Sequence, residues 1–217
     1  MPDFAARRRT MVDTQIRPAD VTKFPIIDAM LAVQRESFVP DAQREAAYVD
    51  TLIDLGAGRV MLEPRTLAKM LDALNISNDE VVLDIASGLG YSTAVAARMA
   101  ELVVGVEDDD ALAADAQELL TEANADNAIV HVGAPELGAV EHGPYDVIMI
   151  QGGVQHVPDA LLDQLKEHGR IACVFVEGDL GTVRIGRKSA GRVSWRDAFN
   201  ASAPVLEGFS AECAFSL

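Results

Sequence analysis

Aromatic residues and cysteine are scarce in this chain, and positive charge is well outnumbered. Only 5% of its 217 residues are Phe, Trp or Tyr. The 49% hydrophobic content therefore rests on Ala, Val, Leu and Ile, a balance that favours a buried parallel sheet covered by helices over an aromatic-rich β-sandwich. The two cysteines, Cys173 and Cys213, are too few for a disulfide framework or a zinc site, and Cys173 lies in an apolar run that reads as core. Eighteen Lys and Arg stand against 34 Asp and Glu, a formal net charge of −16. Nucleic acid and anionic membranes both require a positive surface, so neither is an expected partner. Arg7-Arg8-Arg9 is short and terminal, and reads as a solvated helix start. No segment approaches the roughly 20 apolar residues that span a bilayer, and no apolar stretch follows the charged N-terminus, so a cytoplasmic protein without signal peptide is expected.

What is present changes texture near residue 79. Before it, Met11, Val12, Gln15 and Ile16 share a helix face until Pro18, and Ile26, Ile27, Met30, Leu31 and Val33 give a second amphipathic run ending near Pro40. Tyr48 to Leu62 reads as an irregular loop around Gly56 and Gly58, and Leu67, Met70, Leu71 and Leu74 recur at helical spacing after Pro64. Beyond it, short apolar runs alternate with helical patterns: strands at 81–85, 102–106, 128–132, 147–150 and 171–176, with a helix from about Pro158 to Gly169. Such alternation predicts right-handed βαβ units and a mostly parallel, Rossmann-like α/β sheet. Thr182–Lys188 and Val193–Phe199, joined across Ala190-Gly191, predict a terminal β-hairpin. The expected organisation is one domain over 1–217, with a helical extension and loop at 1–78 and the α/β core at 79–217.

The most informative segment is Val81 to Gly90, where a strand carrying Asp84 runs into Ala86-Ser87-Gly88-Leu89-Gly90 and a helix begins near Tyr91. Glycine there lets backbone approach a ligand where a side chain would intrude. The pattern is not G-x-G-x-x-G, and an acid at the strand end would repel a pyrophosphate. It suits a ligand with an ammonium group, such as the methionine part of S-adenosylmethionine. Glu107 closes the next strand about twenty residues on, where a carboxylate can accept both hydroxyls of a ribose. These two positions define the expected cofactor site, with Asp108 beside Glu107. No His/Cys/Asp/Glu grouping has metal-ligand spacing, and no metal is expected.

The run Val81 to Tyr91 resembles the first motif of the protein-L-isoaspartate O-methyltransferases. Met11-Val12-Asp13-Thr14-Gln15-Ile16, Phe38-Val39-Pro40, Ala47 to Asp50, Gly143 to Ile148 and Val157 to Lys166 are similar to that family in the same order. The resemblance implies an S-adenosylmethionine-dependent methyltransferase fold and methylation of the free α-carboxylate of an isoaspartyl residue in damaged protein. It implies that Asp84, Ala86, Ser87, Gly88 and Gly90 line the methionine and ribose, that Glu107 holds the ribose, and that Gly133 and Ala134 border the adenine.

Departures from the family bear on the acceptor. The family's Thr-Ile-Ser loop, bounded here by Gly58 and Pro64, is Val60-Met61-Leu62, so both hydroxyls are gone. Its acidic Gly-Asp-Gly turn is Gly133-Ala134-Pro135, the first glycine of its cofactor turn is Ala86, and the residues after its fourth strand are Gln151-Gly152-Gly153, with His156 nearby. Val60, Met61, Leu62 and His156 are the expected acceptor pocket, and Gln151 is a candidate for touching cofactor or acceptor. Methyl transfer to a carboxylate needs no general base, so no catalytic side chain is assigned. Two alternatives stay open: a different, small-molecule acceptor, or cofactor binding without catalysis.

Overall fold

The computed structural model describes residues 3–211, so Cys213 lies outside the described residues. The chain opens with α1 (Phe4–Met11), continued by a π-helical turn at Val12–Ile16, and then α2 (Phe24–Ala32). A two-stranded hairpin follows, β1 (Ile53–Gly56) and β2 (Arg59–Met61), and then α3 (Pro64–Leu74). The remaining elements are β3 (Val81–Ile85), α4 (Tyr91–Ala97), β4 (Leu102–Glu107), α5 (Asp110–Glu122), β5 (Ala128–Val132), β6 (Tyr145–Val154), α6 (Asp159–Asp163), β7 (Leu165–Glu177), β8 (Leu180–Ser189) and β9 (Arg192–Asn200).

The seven strands from β3 onward form one sheet in the order β5-β4-β3-β6-β7-β8-β9. Pairings from β5 to β7 are parallel; β7–β8 and β8–β9 are antiparallel. The chain runs outward from β3 through β4 to β5, then returns to the other side of β3 with β6. That reversal opens a crevice beyond the carboxyl ends of β3 and β4, the place where ligands bind in such sheets. The parallel strands read as continuous apolar runs because both faces are covered. Ile16, Met30, Leu67, Leu71, Val82, Val103 and Val147 belong to one buried cluster that joins the N-terminal helices to one face. Leu83, Val104, Ile148, Leu161 and Phe209 belong to the cluster on the other face. No helix among the described residues is long and apolar enough to cross a membrane.

The five strands and the C-terminal hairpin lie where the sequence predicts them. Three local differences have physical reasons. The Tyr48–Leu62 segment contains β1 and β2, turning through Gly56, Ala57 and Gly58, all at positive φ. The helix after Pro158 ends at Asp163 because Leu165 pairs with Tyr145 and Gln164 is spent on the segment 139–145: its carbonyl accepts from Tyr145 N, and its side-chain oxygen accepts from Ala139 N. The fourth strand does not stop at Ile150. It shifts register between Met149 and Gly153 and continues to Val154, where the segment after β9 docks on it.

That docking leaves no room for a side chain. Gly153 N donates to Pro204 O at 2.7 Å, and Leu206 N to Gly153 O at 2.9 Å. A Cβ on Gly153 would stand 2.7 Å from Ala203 O and 2.8 Å from Val176 Cγ2. Gly153→Ala is expected to lower stability by about 1–3 kcal/mol through overpacking. Urea unfolding checks this, and an unchanged midpoint would contradict the packing.

Candidate functional site

The turn after β3 is built from left-handed backbone. Ala86, Gly88 and Gly90 have φ of 56°, 56° and 88°. The turn is tied to β4 by Ser87 N donating to Val106 O at 3.2 Å. Only glycine adopts this conformation freely, so Ala86 carries strain of about 1–2 kcal/mol that a glycine there would not.

Asp84 is fully buried. Its Oδ2 accepts from Ser92 Oγ at 2.6 Å and Thr93 Oγ1 at 2.7 Å, and its Oδ1 accepts from Gln151 Nε2 at 2.7 Å. Burial pushes its carboxyl up to about 6, against the pull of those three donors. Asp84 therefore does not present its charge to the crevice as the sequence reading expected: the protein's own donors occupy it, and Gln151 is one of them. Ser92 and Thr93 escaped that reading, although two hydroxyl residues opening the helix after a glycine turn are a usable signal.

Glu107, at the tip of β4, is also fully buried. Its Oε1 accepts from Arg59 Nε at 2.9 Å and Asp108 N at 3.0 Å; its Oε2 accepts from Arg59 Nε at 3.1 Å and Gly88 N at 3.0 Å. Burial raises this carboxyl, while the Arg59 guanidinium and the Gly88 N–H pull it back. Arg59 also pairs with the Asp108 carboxylate. Asp84 and Glu107 thus close adjacent strands, as the sequence implies, while Arg59 was not foreseen. Its partner lies 48 residues away and no periodicity links the two.

The hairpin lies over this floor. Leu55 Cδ1 stands 2.6 Å from where a Cβ on Gly88 would be, so a leucine methyl covers the backbone that glycine exposes. Leu55, Met61, Leu62, Ser87, Tyr91 and Gln151 help enclose a cavity of only about 10 Å³. Met61 and Leu62 are buried and Val60 is half-buried, forming an apolar wall. The base of the wall is pinned by fully buried Arg35, whose Nε donates to Ala47 O at 2.6 Å and whose Nη2 donates to Leu62 O at 2.8 Å. Burial lowers that guanidinium's pKa. Two hydroxyls on the cavity wall, Ser87 Oγ and Tyr91 Oη, are buried without a hydrogen-bond partner.

The other expected residues divide. Gly133 sits beside Glu107, its N donating to Glu107 O at 3.0 Å, with Ala134 next to it at the end of β5. His156 does not join Val60, Met61 and Leu62: the continuation of β6 carries it to an open cavity of about 430 Å³ with Phe175, Arg184 and Trp195. Arg8 is not solvated; its Nε donates to Tyr48 Oη at 2.9 Å and its Nη2 to Glu36 Oε1 at 3.1 Å. The fold also gathers three residues whose spacing suggested no grouping. His131 Nδ1 and His142 Nε2 lie 3.3 and 3.6 Å from Glu141 Oε1, because the end of β5 meets the turn at Val140–His142.

Residues 6–200 match the family described as protein-L-isoaspartate(D-aspartate) O-methyltransferase. A protein-L-isoaspartate O-methyltransferase of Methylorubrum extorquens (strain PA1) is 34% identical over 210 residues, 96% of this chain and 92% of that one. One from Roseiflexus castenholzii is 36% identical over 169 residues, covering 78% and 77%. Among solved structures, a protein-L-isoaspartate O-methyltransferase superposes with a TM-score of 0.81 at 24% identity, covering 93% of this chain and 66% of that one. A Plasmodium falciparum protein described as the same enzyme, solved with S-adenosyl-L-homocysteine, gives 0.79 at 19% identity, covering 95% and 99%. These likenesses identify the fold as the Rossmann-like methyltransferase fold.

The buried Asp84 has a pH signature. Its folded-state carboxyl titrates near 6, against an ordinary value of 3.8, so between these limits the folded state holds a proton that the unfolded chain has released. Its contribution to stability is complete below about pH 4 and is lost as pH rises through 6, a step of about 3 kcal/mol. Urea unfolding of the wild type and Asp84→Asn from pH 4 to 8 is expected to show wild type losing ground to the variant over that window, then running parallel. A constant difference would contradict the assignment.

Proposed function

This chain belongs to the protein-L-isoaspartate(D-aspartate) O-methyltransferase family, and from that premise we propose that it transfers a methyl group from S-adenosylmethionine to a carboxylate of damaged protein. The observation that carries the reading is the pairing, on adjacent strand ends, of a left-handed glycine turn with a buried acid, Glu107. The floor fits the cofactor's chemistry: an acceptor for sugar hydroxyls, backbone without a side chain at Gly88, and a buried Ser87 hydroxyl still lacking a partner. Gly88, Glu107, Gly133 and Ala134 would hold the nucleoside, with Asp108 at the rim. Asp84 supports the site from beneath, by fixing Ser92, Thr93 and Gln151. The space above the floor is filled by Leu55 and Arg59, so this is a closed form.

S-adenosylmethionine, when bound, supplies a methyl already activated by its sulfonium. An isoaspartyl α-carboxylate is ionised at neutral pH and needs no base to become a nucleophile. The chain's contribution is then alignment and exclusion of water. Met61 and Leu62 supply the exclusion. With leucine at 62, no side-chain hydroxyl at that position orients the acceptor carboxylate; that task falls to other donors, and weak acceptor binding follows.

Labelled S-adenosylmethionine at saturating concentration with an isoaspartyl peptide tests the proposal. Base-labile methyl incorporation is expected, absent with the ordinary aspartyl peptide, with a high KM for the peptide and little of the label lost to water. Cofactor binding without transfer to the isoaspartyl peptide would reject the carboxylate acceptor.

A further inference from the structure

Glu107 has no room for a sugar. A carboxylate offers about four lone-pair positions, and here four N–H groups address them: the Arg59 Nε–H is shared between both oxygens, Asp108 N and, at 3.5 Å, Asp109 N reach Oε1, and Gly88 N reaches Oε2. A ribose diol would approach as a pair of donors. The guanidinium already lays one N–H across both oxygens and adds its charge. The pair is dry, with Arg59 and Glu107 side chains 5% and 0% exposed, so salt does little to loosen it.

The hairpin that delivers Arg59 stands outside the main sheet, with Ile53, Leu55 and Met61 buried against the core and its Asp54 carbonyl accepting from Gln43 Nε2. Its strands have four and three residues, pair only with each other, and shift register between Asp54 and Gly56. A two-stranded hairpin has little stability of its own and depends on such packing contacts. Its base is fixed where Arg35 holds the Leu62 carbonyl, whereas its tip is held by Arg59 on Glu107 and Asp108 and by Leu55 on Gly88. The cavity left beneath, about 10 Å³, has room for a single water, far below the roughly 300 Å³ at which small-molecule pockets begin.

We propose that Arg59 is an internal competitor for the cofactor's ribose: the β1–β2 hairpin closes the site on itself, and the site opens only when Arg59 releases Glu107 and Leu55 leaves Gly88. The inference rests on the cofactor reading above and adds a lock to it. Observed affinity is then the intrinsic affinity multiplied by the open fraction, so residues that hold the hairpin down set how well the cofactor binds without touching it. The unpartnered Ser87 hydroxyl is a donor and acceptor that the closed form leaves unused.

Calorimetric titration with S-adenosylhomocysteine tests this on wild type, Arg59→Gln and Leu55→Ala. Arg59→Gln is expected to tighten binding at least tenfold, and Leu55→Ala several-fold with the ion pair intact. Leu55→Ala also carries the test alone if removal of Arg59, which strands a buried carboxylate, prevents folding. Hydrogen exchange on the wild type is expected to speed up at the amides of residues 55–59 when the ligand is saturating. Equal dissociation constants in all folded variants, or unchanged exchange in the ligand-bound wild type, would overturn the lock while leaving the cofactor reading intact. Absence of binding in every variant would overturn both.

Discussion

The contact of the Arg59 guanidinium with both oxygens of the Glu107 carboxylate joins the N-terminal segment to the tip of the sheet, and the state of the site follows from it. Glu107 is placed by β4, whose pairing with β3 and β5 is regular over the length of the strand. Arg59 is placed by a small hairpin outside the sheet. An acceptor fixed within the sheet thus meets a donor carried by an element outside it. A buried carboxylate is costly unless it is paired or hydrogen-bonded, and Glu107 has both. The hairpin supplies the cation.

Asp84 shows the opposite economy. It is as buried as Glu107, yet its partners are two hydroxyls and an amide fixed on α4 and β6, with no cation. Neutral donors offset only part of its desolvation, which is why its carboxyl rises to about 6. Two acids at neighbouring strand ends therefore differ in kind: one is held by neutral donors beneath the turn, and the other by a guanidinium and backbone N–H groups at the tip of β4. The strained Ala86 between them is held by the tie from Ser87 to β4.

The sheet was legible because buried parallel strands are short apolar runs, and Val81–Ile85, Leu102–Val106 and Val147–Ile150 carry that signal plainly. The turn was legible because Gly88 and Gly90 need left-handed backbone. Four features were not. Strands as short as Ile53–Gly56 and Arg59–Met61 have no measurable period, so the hairpin read as loop. The partner of a buried acid cannot be read locally when it lies 48 residues upstream. The position of His156 depended on two extra residues in the ladder between β6 and β7, which alternation of apolar residues does not announce. Likewise His131, Glu141 and His142 meet only through tertiary convergence. The strands and the turn of the floor were therefore written in the sequence, while its cover was not.

The most direct measurement is a crystal structure of the protein with S-adenosylhomocysteine. The account predicts the ribose hydroxyls on the Glu107 carboxylate, Arg59 withdrawn from it, and the Ile53–Met61 hairpin lifted from Gly88. A ligand seated elsewhere, or one bound on Glu107 with Arg59 still in its present contacts, would contradict it.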